Sequence, residues 1–264
     1  MSSPLEETLA KYGSPASVRD RSPWWKALYY GDYKVGKTVT VAHCAKRPLL
    51  FAIDNGWTSL KDWPDLGHVE VIECQGLKHY DTFVTALAKD LPLYKEFDHV
   101  MLDPWSKLVD TYIDFLQDNA VPSTADARIQ WSRKPGSNDP DFSPFTTAGM
   151  GDYMAVRDHF RKTIYPLMRV QKHVSIIAHL REPSFLDKVK TLRSSVPGKT
   201  HEMIAREVDF IGLVEAEGDN RTISFQASSK QDAGSRFREI HGKTIKAEDL
   251  PKLYTRWAPR EQTP

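Results

Sequence analysis

The pattern of apolar and polar positions along the chain predicts an α/β fold, with a mainly parallel central sheet flanked by helices. Short, near-continuous apolar runs suit strands that are buried on both faces of such a sheet. Apolar residues spaced three or four positions apart suit helices that pack against it. Predicted strands cover residues 25–30, 49–54, 69–74, 97–103 and 174–179, and predicted helices cover residues 38–45, 79–90, 104–119 and 152–170.

Beyond residue 200 the pattern indicates antiparallel neighbours. A short helix over residues 200–207 precedes two apolar segments that are joined by Gly218-Asp219-Asn220, a typical hairpin turn. The two hairpin strands are predicted over residues 209–217 and 221–228, and a last helix over residues 245–257. The predicted organisation is a flexible arm over residues 1–22, a core over residues 23–240, and a C-terminal helix and tail over residues 241–264.

Composition narrows the class of protein. The 264 residues carry a net charge of +1, with 40% hydrophobic and 27% charged residues, as expected for a soluble protein. Any nucleic-acid binding must therefore come from local basic patches. The sequence shows no long apolar run and no basic-then-apolar leader, so we expect a cytoplasmic protein that does not enter a membrane. Cys44 and Cys74 have no metal-ligand spacing and are expected to be reduced core residues.

One segment carries a specific chemical signal. Residues 31–38, Gly-Asp-Tyr-Lys-Val-Gly-Lys-Thr, fit the phosphate-loop pattern of a glycine, four residues, then Gly-Lys-Thr. The glycines let the backbone turn its N–H groups toward a phosphate, the lysine reaches the β- and γ-phosphates, and the threonine hydroxyl is a ligand for Mg²⁺. The sequence therefore predicts ATP and Mg²⁺ as cofactors. The predicted nucleotide-binding residues are Gly31, Asp32, Tyr33, Lys34, Val35, Gly36, Lys37, Thr38 and Val39.

A carboxylate is predicted to complete the metal site. Asp103 ends the apolar strand over residues 97–103. The carboxyl ends of parallel strands meet at one edge of a sheet, so we expect Asp103 to lie beside the phosphate loop and to hold Mg²⁺ together with Thr38. His179 ends another buried strand at the same edge. It is predicted either to contact the γ-phosphate or to be an ordinary strand-end histidine with a satisfied hydrogen bond.

Two segments concentrate positive charge. Residues 121–149 are rich in Pro, Ser, Asp and Gly, and residues 181–199 form a second loop. Cations with an interleaved aromatic suit single-stranded DNA, through phosphate attraction and base stacking; a solvated loop with one anchoring Trp is the alternative. The candidate DNA-binding residues are Arg128, Trp131, Arg133, Lys188, Lys190 and Arg193. Beyond the hairpin, Lys230 and Arg236 are either candidates to reach a phosphate on a neighbouring subunit or ordinary surface charges.

The order of these features resembles a RecA-like ATPase core, and more narrowly the compact phage RecA-like ATPases that act as single-strand annealing proteins. The matching segments are YGDYKVGKT, LLFAIDNGW, HVMLDPWSKL, VSIIAHLREP and VPGKTHEMIAREVDFIGLV, together with residues 230–236. The resemblance implies that Lys37 and Thr38 bind phosphate and Mg²⁺, that Asp103 is the second metal-site residue, and that His179 senses the γ-phosphate. It also implies a homo-oligomer, either a ring or a filament, that binds single-stranded DNA in concert with a single-strand-binding protein.

Two positions depart from this family. RecA-like enzymes place a catalytic Glu just after the second strand, where this chain has Asp54, Asn55 and Gly56. Asp54 is a shorter carboxylate and the candidate catalytic base, so we expect slow hydrolysis or a different base. Pro104 follows Asp103, where the family more often has a small hydroxyl residue.

Three functions are compatible with these residues. The first is a DNA-dependent ATPase that coats single-stranded DNA and promotes annealing or strand exchange in phage recombination. The second is an ATP-dependent loader or remodeller of a replication protein such as a helicase. The third, a small-molecule kinase, is least favoured because the chain has no Arg-rich lid and carries a C-terminal hairpin.

Overall fold

A ten-stranded sheet organises the structure. The computed structural model describes residues 24–118, 150–181, 193–196, 198–228 and 231–257. The strands are β1 (Lys26–Gly31), β2 (Pro48–Ala52), β3 (Glu70–Glu73), β4 (His99–Asp103), β5 (His173–Arg181), β6 (Arg193–Ser194), β7 (Phe210–Glu217), β8 (Asn220–Ser224), β9 (Gly234–Ser235) and β10 (Thr244–Lys246). The α-helices are α1 (Lys37–Ala42), α2 (Leu77–Ala88), α3 (Trp105–Asp118), α4 (Met150–Arg169), α5 (Gly198–Glu207) and α6 (Leu250–Trp257). Short 3₁₀ helices cover Asn55–Asp62, Pro64–Leu66, Pro92–Tyr94 and Ala247–Asp249.

The centre of the sheet is parallel and its C-terminal additions are antiparallel. The strand order is β10-β8-β7-β1-β5-β4-β2-β3, with β6 paired to β5 and β9 paired to β7. Every neighbouring pair from β7 to β3 is parallel, whereas β7–β8 and β8–β10 are antiparallel. This arrangement confirms the predicted α/β class, the mainly parallel sheet and the C-terminal hairpin.

Strand pairing brings the candidate residues to one edge of the sheet. Gly31 at the end of β1 is in register with His179 of β5, and Ala52 at the end of β2 is in register with Asp103 of β4. The carboxyl ends of β1, β2, β4 and β5 therefore form the floor of a single site, as is general for ligands of open parallel sheets.

Two apolar layers cover the two faces of the sheet. On one face, helices α2, α3, α4 and α5 bury large side chains such as Phe83, Trp105 and Phe160. On the other face, α1, α6 and the 3₁₀ helices over residues 55–62, 64–66 and 247–249 pack over Tyr29 and Phe225. Alternate residues of the central strands contribute to the two layers, which fixes the register of each strand because a one-residue slip would reverse its faces. No helix in the described ranges is both long and apolar enough to cross a membrane.

Several predicted elements differ from the observed ones. The helix expected over residues 245–257 begins only at Leu250, because residues 244–246 pair with β8 and complete the edge of the hairpin sheet. The second hairpin strand ends at Ser224 rather than at residue 228. The third predicted strand is confirmed as β3, an edge strand whose side chains are exposed or half-buried. The helix after the phosphate loop is short and ends at Ala42.

Candidate nucleotide-binding site

The loop between β1 and α1 has a backbone that requires glycine at both ends of its motif. A Cβ added to Gly31 would lie 2.2 Å from the carbonyl oxygen of Val214 in the neighbouring strand β7, so no larger residue fits. Gly36 has φ +84°, in the left-handed region that glycine adopts most readily. The predicted phosphate loop is thus held in its turn by a close approach at one end and by backbone conformation at the other.

Lys37 is buried beneath the loop and points into it. Its Nζ donates hydrogen bonds to the carbonyl oxygens of Gly31 at 3.0 Å and Asp32 at 2.6 Å. Burial lowers the pKa of the ammonium, and the carboxylates of Asp103, Asp32 and Asp54 act in the opposite direction. A phosphate entering the loop would supply the negative charge that this buried cation lacks.

Thr38 and Asp103 meet at the predicted metal site. The Thr38 hydroxyl donates a hydrogen bond to a carboxylate oxygen of Asp103. Burial raises the pKa of Asp103 from 3.8 to about 6, although the bond from Thr38 and the charge of Lys37 lower it in part. A hydroxyl and a half-buried carboxylate are hard oxygen donors, and a divalent cation would offset the cost of desolvating the charge. In the described ranges no cluster of three or more His, Cys, Asp or Glu side chains could hold a metal by itself. A two-ligand site of this kind suits Mg²⁺ that arrives together with the phosphates it neutralises.

His179 lies beside the loop and contacts it through Tyr33. The two rings are 4.3 Å apart between centroids and tilted by 30°. Burial and the charge of Lys37 lower the pKa of His179, while Asp54 and Asp32 act in the opposite direction. Its Nδ1 is buried and has no hydrogen-bond partner among the described residues. This nitrogen lacks the satisfied hydrogen bond of an ordinary strand-end histidine among the described residues. Contact of His179 with the γ-phosphate stays a prediction.

Asp54 lies just beyond the end of β2 and is exposed. Its carboxylate accepts a hydrogen bond of 2.7 Å from the backbone N–H of Gly56 and so caps the following 3₁₀ helix. The charge of Asp54 also affects the pKa values of Lys37, Asp103 and His179, which places it near the site. Its role as the catalytic base stays a prediction.

A cavity of about 490 Å³ opens beside the loop, between α1 and the β7–β8 hairpin. Its walls include Trp63, whose ring packs edge-on against His43 at 5.7 Å, and Arg221, whose guanidinium faces the ring of Trp63 at 5.5 Å. The other lining residues are Val39, Thr40, Asp219, Asn220, Thr222, Lys246, Ala247, Glu248 and Pro251. Sequence reasoning missed this cavity because its walls come from four separated segments, and no local pattern marks Trp63 or Arg221.

A protein-family model described as an AAA domain matches residues 24–237, well over half of the chain. The chain belongs to the AAA domain family. Proteins of this family are P-loop NTPases that generally use ATP and Mg²⁺. Nucleotide binding by the individual residues of the loop after β1 stays a prediction. No curated protein matches the chain.

The AAA domain match extends over both segments that sequence analysis assigned to DNA, but most of the candidate DNA-binding residues lie outside the described residues. These are Arg128, Trp131, Arg133, Lys188 and Lys190, and Lys230 of the proposed trans contact lies outside as well. The backbone of Arg193 is described, in β6 opposite Arg181. The DNA contacts of these residues stay predictions.

Arg236 lies at the opposite edge of the AAA domain's sheet from the phosphate loop. Its backbone N–H bonds to the carbonyl oxygen of Asp209, immediately before β7. Its guanidinium donates to the carbonyl oxygen of Arg206 at 2.5 Å and lies 3.8 Å from the carboxylate of Asp209. Arg236 is thus engaged within its own chain, and its predicted contact with a neighbouring subunit's phosphate stays untested.

A buried polar chain anchors the return of the second basic segment to the AAA domain. Ser194 Oγ lies 2.7 Å from His201 Nδ1, and His201 Nε2 lies 2.5 Å from an Asp232 carboxylate oxygen. Ser194 is fully buried, so this Ser-His-Asp series has no accessible nucleophile. It instead fixes β6 against α5 and the segment that follows the hairpin. The adjacent Ser195 N–H bonds to the carbonyl oxygen of His179 at 2.8 Å.

Proposed function

We propose that this AAA domain is a DNA-dependent ATPase that binds single-stranded DNA and promotes annealing or strand exchange. The observation that carries the ATPase part is the convergence of Lys37, Thr38 and Asp103 at one sheet edge. Lys37 supplies a cation that binds the phosphates, and the other two side chains supply oxygen ligands for Mg²⁺. The metal, when bound, neutralises phosphate charge and polarises the γ-phosphate.

The protein's own residues have separate tasks in this proposal. The loop backbone and Lys37 orient the triphosphate. Thr38 and Asp103 hold the metal, and His179, whose ring lies against Tyr33 of the loop, contacts the γ-phosphate. The cavity beside α1 takes the nucleoside. Asp54 is the nearest exposed carboxylate after β2 and the proposed base for the attacking water.

The DNA part of the proposal is supported by where the second basic segment begins and ends. The chain leaves the sheet at Arg181 and returns at Arg193, and these two residues are paired in β5 and β6. Both ends lie next to His179. A contact between His179 and the γ-phosphate would therefore shift the two ends of a segment that carries Lys188 and Lys190. This proximity is a route by which ATP could change affinity for a polyanion.

Steady-state ATP turnover with and without single-stranded DNA tests the proposal. We expect single-stranded DNA to raise turnover, because DNA held between the basic segments would act on His179 through β5 and β6. A Lys188→Ala/Lys190→Ala variant should keep the basal turnover and lose the stimulation. Turnover that is indifferent to DNA in the wild type would favour the alternative, an ATP-dependent loader or remodeller of another protein.

A further inference from the structure

Arg221 rests directly on the phosphate loop. A Cβ added to Gly36 would lie 2.7 Å from Nε of Arg221, and 3.0 Å from both its Cδ and its Cζ. These are the three heavy atoms nearest to that position. The guanidinium therefore lies in van der Waals contact with the loop backbone, immediately before Lys37.

The backbone of Arg221 is held in place by strand pairing. Arg221 is paired with Ala216 across the β7–β8 hairpin, and β7 is paired with β1 up to Gly31 and Val214. The loop and the hairpin thus share a continuous ladder of backbone hydrogen bonds. The close contact between Gly31 and the carbonyl oxygen of Val214 fixes their separation. Arg221 therefore reaches the loop from a rigid element.

No carboxylate among the described residues neutralises the charge of Arg221. Within the ranges that the structure describes, Arg221 forms no ion pair. Its guanidinium lies 5.5 Å from the ring centroid of Trp63. An indole face attracts a cation but leaves its charge in place. An arginine stays protonated in proteins, so a full positive charge faces the cavity.

The two cations of the site meet the loop at different ends. Nζ of Lys37 bonds to the carbonyl oxygens of Gly31 and Asp32, whereas Arg221 covers Gly36 and faces the cavity wall at Trp63. The lysine of a phosphate loop serves the β- and γ-phosphates. The α-phosphate is the one phosphate that this lysine does not serve. It would lie between the loop and a nucleoside in the cavity.

We propose that Arg221 binds the α-phosphate of the nucleotide, as a second cation supplied by the hairpin of the same chain. The inference rests on the proposed nucleotide binding. A guanidinium can give a phosphate two parallel hydrogen bonds, which orients the nucleotide as well as attracting it. The α-phosphate is common to the tri- and diphosphates of every base. The contact therefore raises the affinity for ATP, ADP and GDP by the same factor.

Calorimetric titration of Arg221→Gln with ATP, ADP and GDP tests this contact. Charge-assisted hydrogen bonds of this kind correspond to a loss of roughly ten- to a hundredfold in affinity. We expect a loss in that range, equal for the three nucleotides. Lys243→Gln is the matched control, because Lys243 is an exposed lysine beside the same hairpin and does not line the cavity. It should bind all three nucleotides as the wild type does.

Each other outcome overturns the assignment. Unchanged affinity in Arg221→Gln removes the contact altogether. A loss for ATP alone would place Arg221 on the γ-phosphate, and a loss that differs between ADP and GDP would place it on the base. An equal loss of affinity in Lys243→Gln would mean that any positive charge near the hairpin has this effect, without a specific contact.

Two further measurements keep the test decisive. If Arg221→Gln fails to fold, as judged by its thermal unfolding midpoint without nucleotide, Arg221→Lys takes its place. The lysine keeps the charge and the aliphatic stem but loses the planar fork, and a severalfold loss shared by the three nucleotides is expected. Wild-type protein that binds no nucleotide would overturn the proposed function together with this contact, whereas binding that is insensitive to both Arg221 variants overturns the contact alone.

Discussion

Asp103→Asn should stabilise the nucleotide-free protein while it removes the metal site. In the folded protein, burial raises the pKa of Asp103 from 3.8 to about 6. The folded state therefore holds this proton more tightly than the unfolded chain does. Ionised Asp103 destabilises the fold, and this cost grows as the pH rises from about 4 to above 6. Asparagine keeps an oxygen that can accept the hydrogen bond from Thr38 and carries no charge to bury.

The magnitude follows from the displaced pKa. Each pH unit between the folded and unfolded pKa corresponds to about 1.4 kcal/mol. With values of 3.8 unfolded and about 6 folded, ionised Asp103 costs the folded protein about 3 kcal/mol at pH 7. We expect Asp103→Asn to recover about 2 to 3 kcal/mol at pH 7, and the two proteins to converge near pH 4, where the carboxyl group is protonated in the folded state.

Urea titrations at pH 4, 5.5 and 7 without nucleotide or Mg²⁺ measure this difference. Asp32→Asn is the control, because Asp32 is an exposed carboxylate in the same loop; its free energy of unfolding should stay within about 0.5 kcal/mol of the wild type. An Asp103→Asn protein that is less stable at pH 7, or whose difference from wild type does not vary with pH, would refute the reasoning. The same variant should lose the strengthening of ATP binding by Mg²⁺.

Two further predictions concern the phosphates of ATP and of DNA. Lys37→Ala should abolish tight ATP binding and leave the fold intact, because the Lys37 ammonium binds the phosphates. If calorimetry gives the same ATP affinity for the variant and the wild type, residues 31–38 are not a phosphate loop. Replacing Lys188, Lys190 and Arg193 together by Ala should reduce the salt slope of log K for single-stranded DNA by about 0.7 per contact, roughly 2 in total. Trp131→Ala should cost about 1–3 kcal/mol of that binding through a lost stacked base; unchanged affinity and salt slope would reduce these segments to solvated loops.

Local signals in the sequence were enough to predict that Asp103 lies beside the loop after β1. The apolar run that ends in Asp103 indicates a buried parallel strand. Strand polarity then places its carboxylate near Thr38, with which it shares a hydrogen bond. The parallel sheet itself could be predicted for the same reason, because helices alternate with strands that are buried on both faces.

Features that depend on tertiary approach could not be predicted. Arg221 looks like a polar residue after a hairpin turn, and only the pairing of β7 with β1 brings it onto Gly36. Ile245 was predicted to begin the last helix, but it pairs with Ile223 at the edge of β8 and so belongs to a strand. The series from Ser194 to Asp232 joins side chains that are far apart in sequence. A single sequence carries no signal for such long-range partners.

We propose that nucleotide bound at the loop after β1 controls a single-stranded DNA site on the same domain. A salt-titrated single-strand binding assay, with and without Mg²⁺ and ATP, tests it most directly. We predict that ATP tightens binding, that log K falls linearly with log salt concentration, and that Lys37→Ala loses the ATP effect while it keeps the ATP-independent binding. Affinity for single-stranded DNA that is absent, or that is the same with and without ATP in the wild type, would contradict the claim.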